Sequence, residues 1–156
     1  CIQVARERTP LNGYVHIKAW EKQADGSEKL IKDDTIKNLV VTVGKDAILK
    51  YISNITGGGY ADDIGVGDST TAAAVGQTDL QGTAVWKTIV TADRVFITPT
   101  LYLSVDFGYS EANFTWNELG IRDSQGPPIL WARQVDASPL VKTTSKRAIV
   151  EWQLSM

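Results

Sequence analysis

Apolar and polar residues alternate at the C-terminal end of the chain. Polar or charged residues separate the apolar ones, with Ile149 the exception, so that one face carries Ala148, Val150, Trp152, Leu154 and Met156. Only an extended strand sorts side chains with a period of two. The segment therefore predicts a strand that fixes the last residues of the chain in a sheet.

The same signal recurs in short segments along the chain. An Asp25-Gly26 pair predicts a tight turn, Pro99 indicates a strand edge, bulge or break, and a slip of register near Asn117-Glu118 indicates a β-bulge. We predict strands over residues 13–21, 29–32, 38–43, 83–90, 94–98, 101–107, 114–121 and 129–135, with the last strand following Ser138-Pro139.

One segment has a different period. Ile48, Leu49 and Ile52 recur at helical spacing, which predicts a helix at about residues 45–53. The stretch from Gly57 to Gly82 that follows is rich in Gly, Ala, Ser, Thr and Asp. It predicts a long, flexible surface loop with a short strand at Ile64–Gly67, and loops of this length are usually functional or disordered.

These segments together predict an all-β fold. Short strands separated by turn signals, with one short helix and one long Gly/Ala/Thr loop, are typical of an antiparallel β-sandwich or jelly-roll-like domain. We expect an N-terminal arm over residues 1–12 and a single domain over residues 13–156, since 156 residues suffice for one core.

Composition and charge narrow the range of functions that the protein can have. With 16 basic and 18 acidic residues the net charge is -2, so the sequence lacks the basic surface that nucleic acid requires. No apolar run approaches the roughly 20 residues of a membrane span. One cysteine, Cys1, cannot form an internal disulfide, and His16 is the only histidine available as a catalytic base.

Three origins are open for Cys1 at the start of the sequence. It could be the acylated residue of a bacterial lipoprotein, follow a removed Met, or open an excerpt of a longer chain. The flexible Ser/Gly tether usual in lipoproteins is missing, because Ile2 and Val4 come first and a charged run follows. We therefore disfavour the lipoprotein interpretation.

Five tryptophans raise the question of sugar binding. A sugar platform needs an aromatic ring on a solvent-facing surface. Trp20 shares a strand face with His16 and Lys18, which favours an exposed position. Trp20 and Trp86 are the candidate ligand-stacking residues. The remaining candidates alternate with aliphatic residues and are expected in the core: Trp116, Trp131 and Trp152.

Two groups of carboxylates are candidates for a chemical site. Asp62, Asp63 and Asp68 bracket a Gly-rich loop as calcium ligands do, but their spacing is not that of an EF-hand and such residues commonly cap turns. Glu111 and Glu118 could form a glycosidase pair. Glu118 lies between apolar strand residues, so we expect it to be buried and to accept backbone hydrogen bonds at the bulge. We predict no catalytic residue, metal or cofactor.

An ordered set of motifs spans most of the chain. Strand, helix and loop motifs follow one another in the order Gly13-Tyr14-Val15-His16-Ile17, Asn38–Gly44, Ile64–Thr70, Gln77–Leu80, Glu111–Phe114, Asn117–Ile121, Leu130–Arg133, Lys142-Thr143 and Val150–Trp152. This order resembles a family of small virion proteins of tailed bacteriophages, encoded among tail, baseplate and fibre components. The sequence departs from that family at Gln81-Gly82 and Thr83-Ala84, where a charged residue and an arginine are common.

The resemblance implies a non-catalytic structural part of a virion, assembled in the bacterial cytoplasm from copies of itself (a trimer or higher) and other virion proteins. Capsid decoration, a carbohydrate-binding module for host-surface glycan, and an enzyme acting on surface sugars stay open as alternatives. We expect the N-terminal arm and the long loop to form the interfaces, with the candidate residues Ile2, Val4, Arg6, Arg8, Tyr60, Asp62, Asp63, Asp68, Thr70, Thr71 and Gln77.

Overall fold

The computed structural model describes residues 11–54 and 59–155, which are mostly antiparallel strands. One helix, α1 (Thr42–Ile52), and one 3-10 turn (Thr91–Asp93) accompany them. The strands of these described ranges are β1 (Asn12–Lys22), β2 (Glu28–Lys37), β3 (Leu39–Val40), β4 (Asp63–Gly67), β5 (Ala84–Thr88), β6 (Arg94–Ile97), β7 (Thr100–Phe107), β8 (Thr115–Asp123), β9 (Ile129–Val141) and β10 (Lys146–Ser155).

The strands form two five-stranded sheets. The first sheet has the order β2-β1-β10-β7-β6, and the second has the order β3-β9-β8-β4-β5. The chain crosses between the sheets four times, from β2 to β3, β5 to β6, β7 to β8 and β9 to β10. The first two crossings join edge strands, so each pair of edge strands lies on the same side of the molecule. The prediction of an all-β sandwich with one short helix is confirmed.

Alternation along the strands builds a single core between the sheets. In β1 the side chains of Val15, Ile17 and Ala19 are buried, and they lie opposite Trp152, Val150 and Ala148 of β10. The predicted C-terminal strand is therefore confirmed over Lys146–Ser155, at the centre of the first sheet. The register slip near Asn117-Glu118 is confirmed as well, between Trp116 and Glu118 of β8.

The strand predicted over residues 38–43 is wrong in its second half. Strand β3 ends at Val40, and α1 begins at Thr42. The Val41 N–H bonds to the Trp131 carbonyl oxygen at 3.0 Å, and the absence of a side chain at Gly44 lets the helix pack directly on the Trp131 backbone. Because the segment from Thr42 packs so closely on β9, it forms a helix and does not continue the strand.

The predicted apolar face of the helix is wrong at two of its three positions. Gly44 and Ala47 are buried and Ile48 is half-buried against the core, whereas Leu49 and Ile52 are exposed. Small residues face the sheet because the helix lies too close to β9 for larger ones.

Two strands are longer than predicted. Strand β2 continues to Lys37, and β9 continues through Pro139 to Val141. Between the pairs Glu118–Val135 and Trp116–Leu140, four residues of β9 lie opposite Asn117 alone. Pro139 falls in this irregular part of the ladder. Its missing N–H therefore removes no hydrogen bond from a regularly paired stretch.

Candidate functional site

A buried ion pair lies on the outer side of the second sheet. Glu118 of β8 and Arg133 of β9 are diagonal neighbours, since Arg133 pairs with Gly120, two residues beyond Glu118. The Arg133 Nε donates to the Glu118 Oε2 at 2.7 Å, and neither side chain has any exposed surface (0% each). Burial of two charges is tolerated only where each is fully hydrogen-bonded.

Glu118 is satisfied by the backbone of the long loop. Its Oε1 accepts the N–H of Gly82 at 2.8 Å and that of Ser69 at 3.4 Å, and its Oε2 accepts the N–H of Gln81 at 2.9 Å. The expectation that Glu118 is buried and accepts backbone hydrogen bonds is confirmed. The donors come from the loop and not from the bulge itself, and the Arg133 partner was missed.

Arg133 holds the other part of the same loop. Its guanidinium donates to the Thr71 carbonyl oxygen at 2.7 Å and to the Gln77 Oε1 at 3.0 Å. The Gln77 side chain in turn donates to the Ala72 carbonyl oxygen and accepts the Ala74 N–H. One cation thus organises the Thr71–Gln77 segment, which has no regular secondary structure.

Further contacts fasten the loop at its ends and middle. The Asp68 carboxylate accepts the Thr83 N–H, and the Asn117 side chain donates to the Asp68 carbonyl oxygen. The Thr42 N–H at the start of α1 bonds to the Val75 carbonyl oxygen at 2.9 Å. We call residues 68–83 the clamped loop. The sequence predicted a flexible loop, and in the structure these hydrogen bonds attach it to α1, β8 and β9.

Nine of the eleven interface candidates predicted from the sequence fall into three groups. Asp68, Thr70 and Thr71 are exposed on the clamped loop, whereas the Gln77 side chain is half-buried beneath it. Tyr60 is exposed, with the Arg94 guanidinium 5.5 Å from its ring centroid. Four candidates lie outside the described residues: Ile2, Val4, Arg6 and Arg8.

Asp62 and Asp63 do not form part of the surface, which corrects their prediction as contact residues. The Asp62 carboxylate accepts the Ser124 N–H and hydroxyl, while Asp63 pairs with Arg122 at 3.0 Å and accepts the Thr88 hydroxyl. Both aspartates are buried. Within residues 11–54 and 59–155, no three His, Cys, Asp or Glu side chains converge as a metal site would require.

Each candidate stacking tryptophan already has an arginine over its ring. The Arg147 guanidinium carbon lies 4.2 Å from the Trp20 ring centroid, and that of Arg122 lies 4.1 Å from the Trp86 ring centroid. The edge of the Trp86 ring also lies over Gly65, its cross-strand partner. A sugar would have to displace these cations to stack there. Trp116, Trp131 and Trp152 are buried, as predicted.

The two carboxylates of the candidate glycosidase pair have separate environments. Glu111 pairs with Lys87 at 2.6 Å and accepts the Gly108 N–H, and these contacts hold the pKa of its carboxyl below the ordinary 4.5. Glu118 is sealed beneath the clamped loop, where a sugar does not reach it.

Sequence reasoning missed a second buried cation, Lys142. Its ammonium donates to the carbonyl oxygens of Gly108 and Glu111 and to the Asn113 Oδ1 at 2.7–2.9 Å, and burial lowers its pKa. It fixes the turn between β7 and β8 to the end of β9. The signal available in the sequence was a lysine directly after a strand that alternates into the core.

Comparison of the chain with protein-family models, curated proteins and solved structures finds no match. Among the helices of the described ranges, none combines the length and apolar character needed to cross a bilayer.

Proposed function

We propose that the chain is a non-enzymatic structural component of a tailed-bacteriophage virion, in the tail, baseplate or fibre-attachment region. It acts by binding copies of itself and neighbouring virion proteins. The ordered motifs from Gly13 to Trp152 support the choice of family. The clamped loop supports the mode of action.

The observation that carries the proposal is the ion pair of Glu118 and Arg133 beneath an exposed loop. The pair and its loop partners fix about fifteen residues that have no secondary structure. Loop residues fixed before binding lose less conformational entropy when a partner docks. Asp68, Thr70 and Thr71 present polar groups on that fixed surface.

A structural role also fits the charged groups in the described part of the chain. Glu118, Arg133 and Lys142 are each buried and bonded to backbone or side-chain partners, which makes them elements of rigidity. A protein that assembles once and then persists benefits from such rigidity, and its copies are expected to associate with closed symmetry.

The proposal is tested by immunogold electron microscopy of phage particles induced from a host that carries this sequence. Antibody raised against the purified chain is expected to label the tail, the baseplate or the fibre attachment. Mass spectrometry of the same purified particles is expected to detect the chain in stoichiometric amounts. A chain absent from purified particles would contradict the proposal.

The same micrographs distinguish the proposed location from the nearest alternative. Label spread evenly over the head would indicate capsid decoration, and it would overturn the location proposed here. A glycan panel tests the carbohydrate-binding alternative, because a bound sugar has to displace Arg147 or Arg122 and change the fluorescence of Trp20 or Trp86.

A further inference from the structure

Strand β6 is an apolar edge strand. Three consecutive residues of this strand are exposed: Val95 (45%), Phe96 (66%) and Ile97 (62%). Within the part of the chain that the structure describes, β6 pairs with β7 alone. Natural edge strands usually carry a charge, a bulge or a proline that prevents pairing with another chain, and the run from Val95 to Thr98 carries no charge.

Apolar side chains of β6 point to both faces of the sheet. Phe96 lies opposite Leu101, which shares the inward face of β7 with Leu103. Val95 lies opposite Tyr102 on the outer face. The strand therefore offers apolar contacts above and below its unpaired backbone edge, as a strand does when it continues into another sheet.

Arg94, the charged residue of β6, does not oppose such a contact. Arg94, the first residue of the strand, donates to the carbonyl oxygens of Ala61 and Ile89 at 2.7 and 3.2 Å. Its charge is thereby directed toward the protein and away from the free edge. A second copy of β6 can approach without the burial of an unpaired charge.

The apolar area is of the size that a stable contact needs. Val85 of the edge strand β5 and Val90 in the connection from β5 to β6 are also exposed, and with β6 they present roughly 400 Å² of apolar surface. A standard interface buries about 800 Å² on each partner, a little over half of it apolar. The edge thus matches the apolar part of one such interface.

We infer that β6 is a self-association edge, at which two copies of this chain pair antiparallel about a two-fold axis at Phe96. Residues that face each other across an antiparallel pair lie on the same face of the sheet. Pairing centred on Phe96 places Val95 of one copy opposite Ile97 of the other, and the two Phe96 side chains together. The two first sheets become one ten-stranded sheet. The inference rests on the proposed self-assembly and names its surface.

Disulfide trapping tests the register. Antiparallel partners have Cα atoms about 4.5–5.5 Å apart, within the range that a disulfide spans. The full chain with Cys1→Ser and Phe96→Cys is expected to form a covalent dimer under mild oxidation. Cys1→Ser with Ile52→Cys, which places a thiol at an equally exposed position on α1, is the control and is expected to stay monomeric on a denaturing gel.

Light scattering tests the contact itself. The wild-type chain is expected to be a dimer or a larger even-numbered assembly. Phe96→Lys is expected to halve its mass or to raise the dissociation constant of the pair by about a hundredfold. Ile52→Lys adds the same charge elsewhere and is expected to leave the mass unchanged. Circular dichroism of both variants is expected to match the wild type, since both positions are exposed.

Three outcomes would overturn the inference. They are a monomer at high concentration, an assembly that persists in Phe96→Lys, and an assembly lost only when residues 2–9 are deleted, which would make the N-terminal arm the contact. In each case the chain's presence in purified particles still tests the proposed function separately. A monomer found in particles would retain the virion role and reject the β6 edge.

Discussion

The Arg133 Nε lies 2.7 Å from the Glu118 Oε2, and both side chains are fully buried. The remaining polar atoms of the pair bond to the loop above it, so the ion pair connects two strands to a segment without regular structure. Breaking such a pair leaves one charge buried without its partner, which is far more costly than the loss of a surface pair.

Arg133→Met is expected to lower the free energy of unfolding by about 3–5 kcal/mol, because Glu118 is left buried without its counter-ion. Urea unfolding at neutral pH measures the change. Arg147→Met is the matched control, since Arg147 pairs with Glu28 at the surface. Its loss is expected to be much smaller. Equal losses in the two variants would contradict the role given to the buried pair.

Substitution of glycine tests how closely the loop and strand pack around Glu118. A Cβ at Gly67 would lie 2.5 Å from the Glu118 Oε1, so Gly67→Ala is expected to cost about 1–3 kcal/mol in the free energy of unfolding. A Cβ at Gly76, in the clamped loop, would meet nothing within 4 Å. Gly76→Ala is therefore expected to be neutral or slightly stabilising. The reverse order of stability in thermal unfolding would contradict this geometry.

Glu111 contributes to the way the free energy of unfolding depends on pH in the acid range. Lys87, and then the Gly108 N–H, hold its folded pKa below the ordinary 4.5. Ionised Glu111 therefore stabilises the folded state above about pH 4.5, and the contribution is lost as the pH falls through the folded pKa. Glu111→Gln is expected to be less stable than the wild type at neutral pH, with the difference shrinking below pH 4.5.

Urea unfolding of both proteins between pH 7 and pH 3 measures that difference. Lys87→Gln provides the control, because it removes the main cause of the lowered pKa and should reduce the same pH dependence. A difference between Glu111→Gln and wild type that stays constant across this range would contradict the assignment.

Lys142 is expected to stabilise the turn between β7 and β8. In Lys142→Met the carbonyl oxygens of Gly108 and Glu111 and the Asn113 Oδ1 lose their common donor, at a cost of about 2–4 kcal/mol. Lys146→Met is the control, since Lys146 donates from an exposed position to a single carbonyl oxygen. Chemical unfolding that ranks the control as the less stable variant would contradict the prediction.

Local alternation was sufficient to predict most of the fold. Val15, Ile17, Val150 and Trp152 show a period of two because one face of their strands is buried, and this pattern is visible in the sequence alone. The bulge beside Glu118 was visible for the same reason, as a break in the period. A pattern that depends on one strand alone can be recognised in the sequence before the fold is known.

Features that depend on two distant segments were not predicted. The helix starts at Thr42 because Gly44 lies against Trp131, and no local signal reveals that contact. The partner of Glu118 was missed because Arg133 becomes its neighbour only through the register of β8 and β9. The apolar edge of β6 left a weak signal, three apolar residues beside Pro99, but exposure follows from the order of strands.

The clamped loop is expected to form a fixed surface in the free chain. Hydrogen–deuterium exchange of the wild-type protein tests it most directly, because the N–H groups of Gln81 and Gly82 bond to the buried Glu118 carboxylate. We predict that these two amides are protected nearly as well as those of β8, and that Arg133→Met removes the protection. Exchange of Gln81 and Gly82 at the rate of an open loop in the wild type would contradict the account.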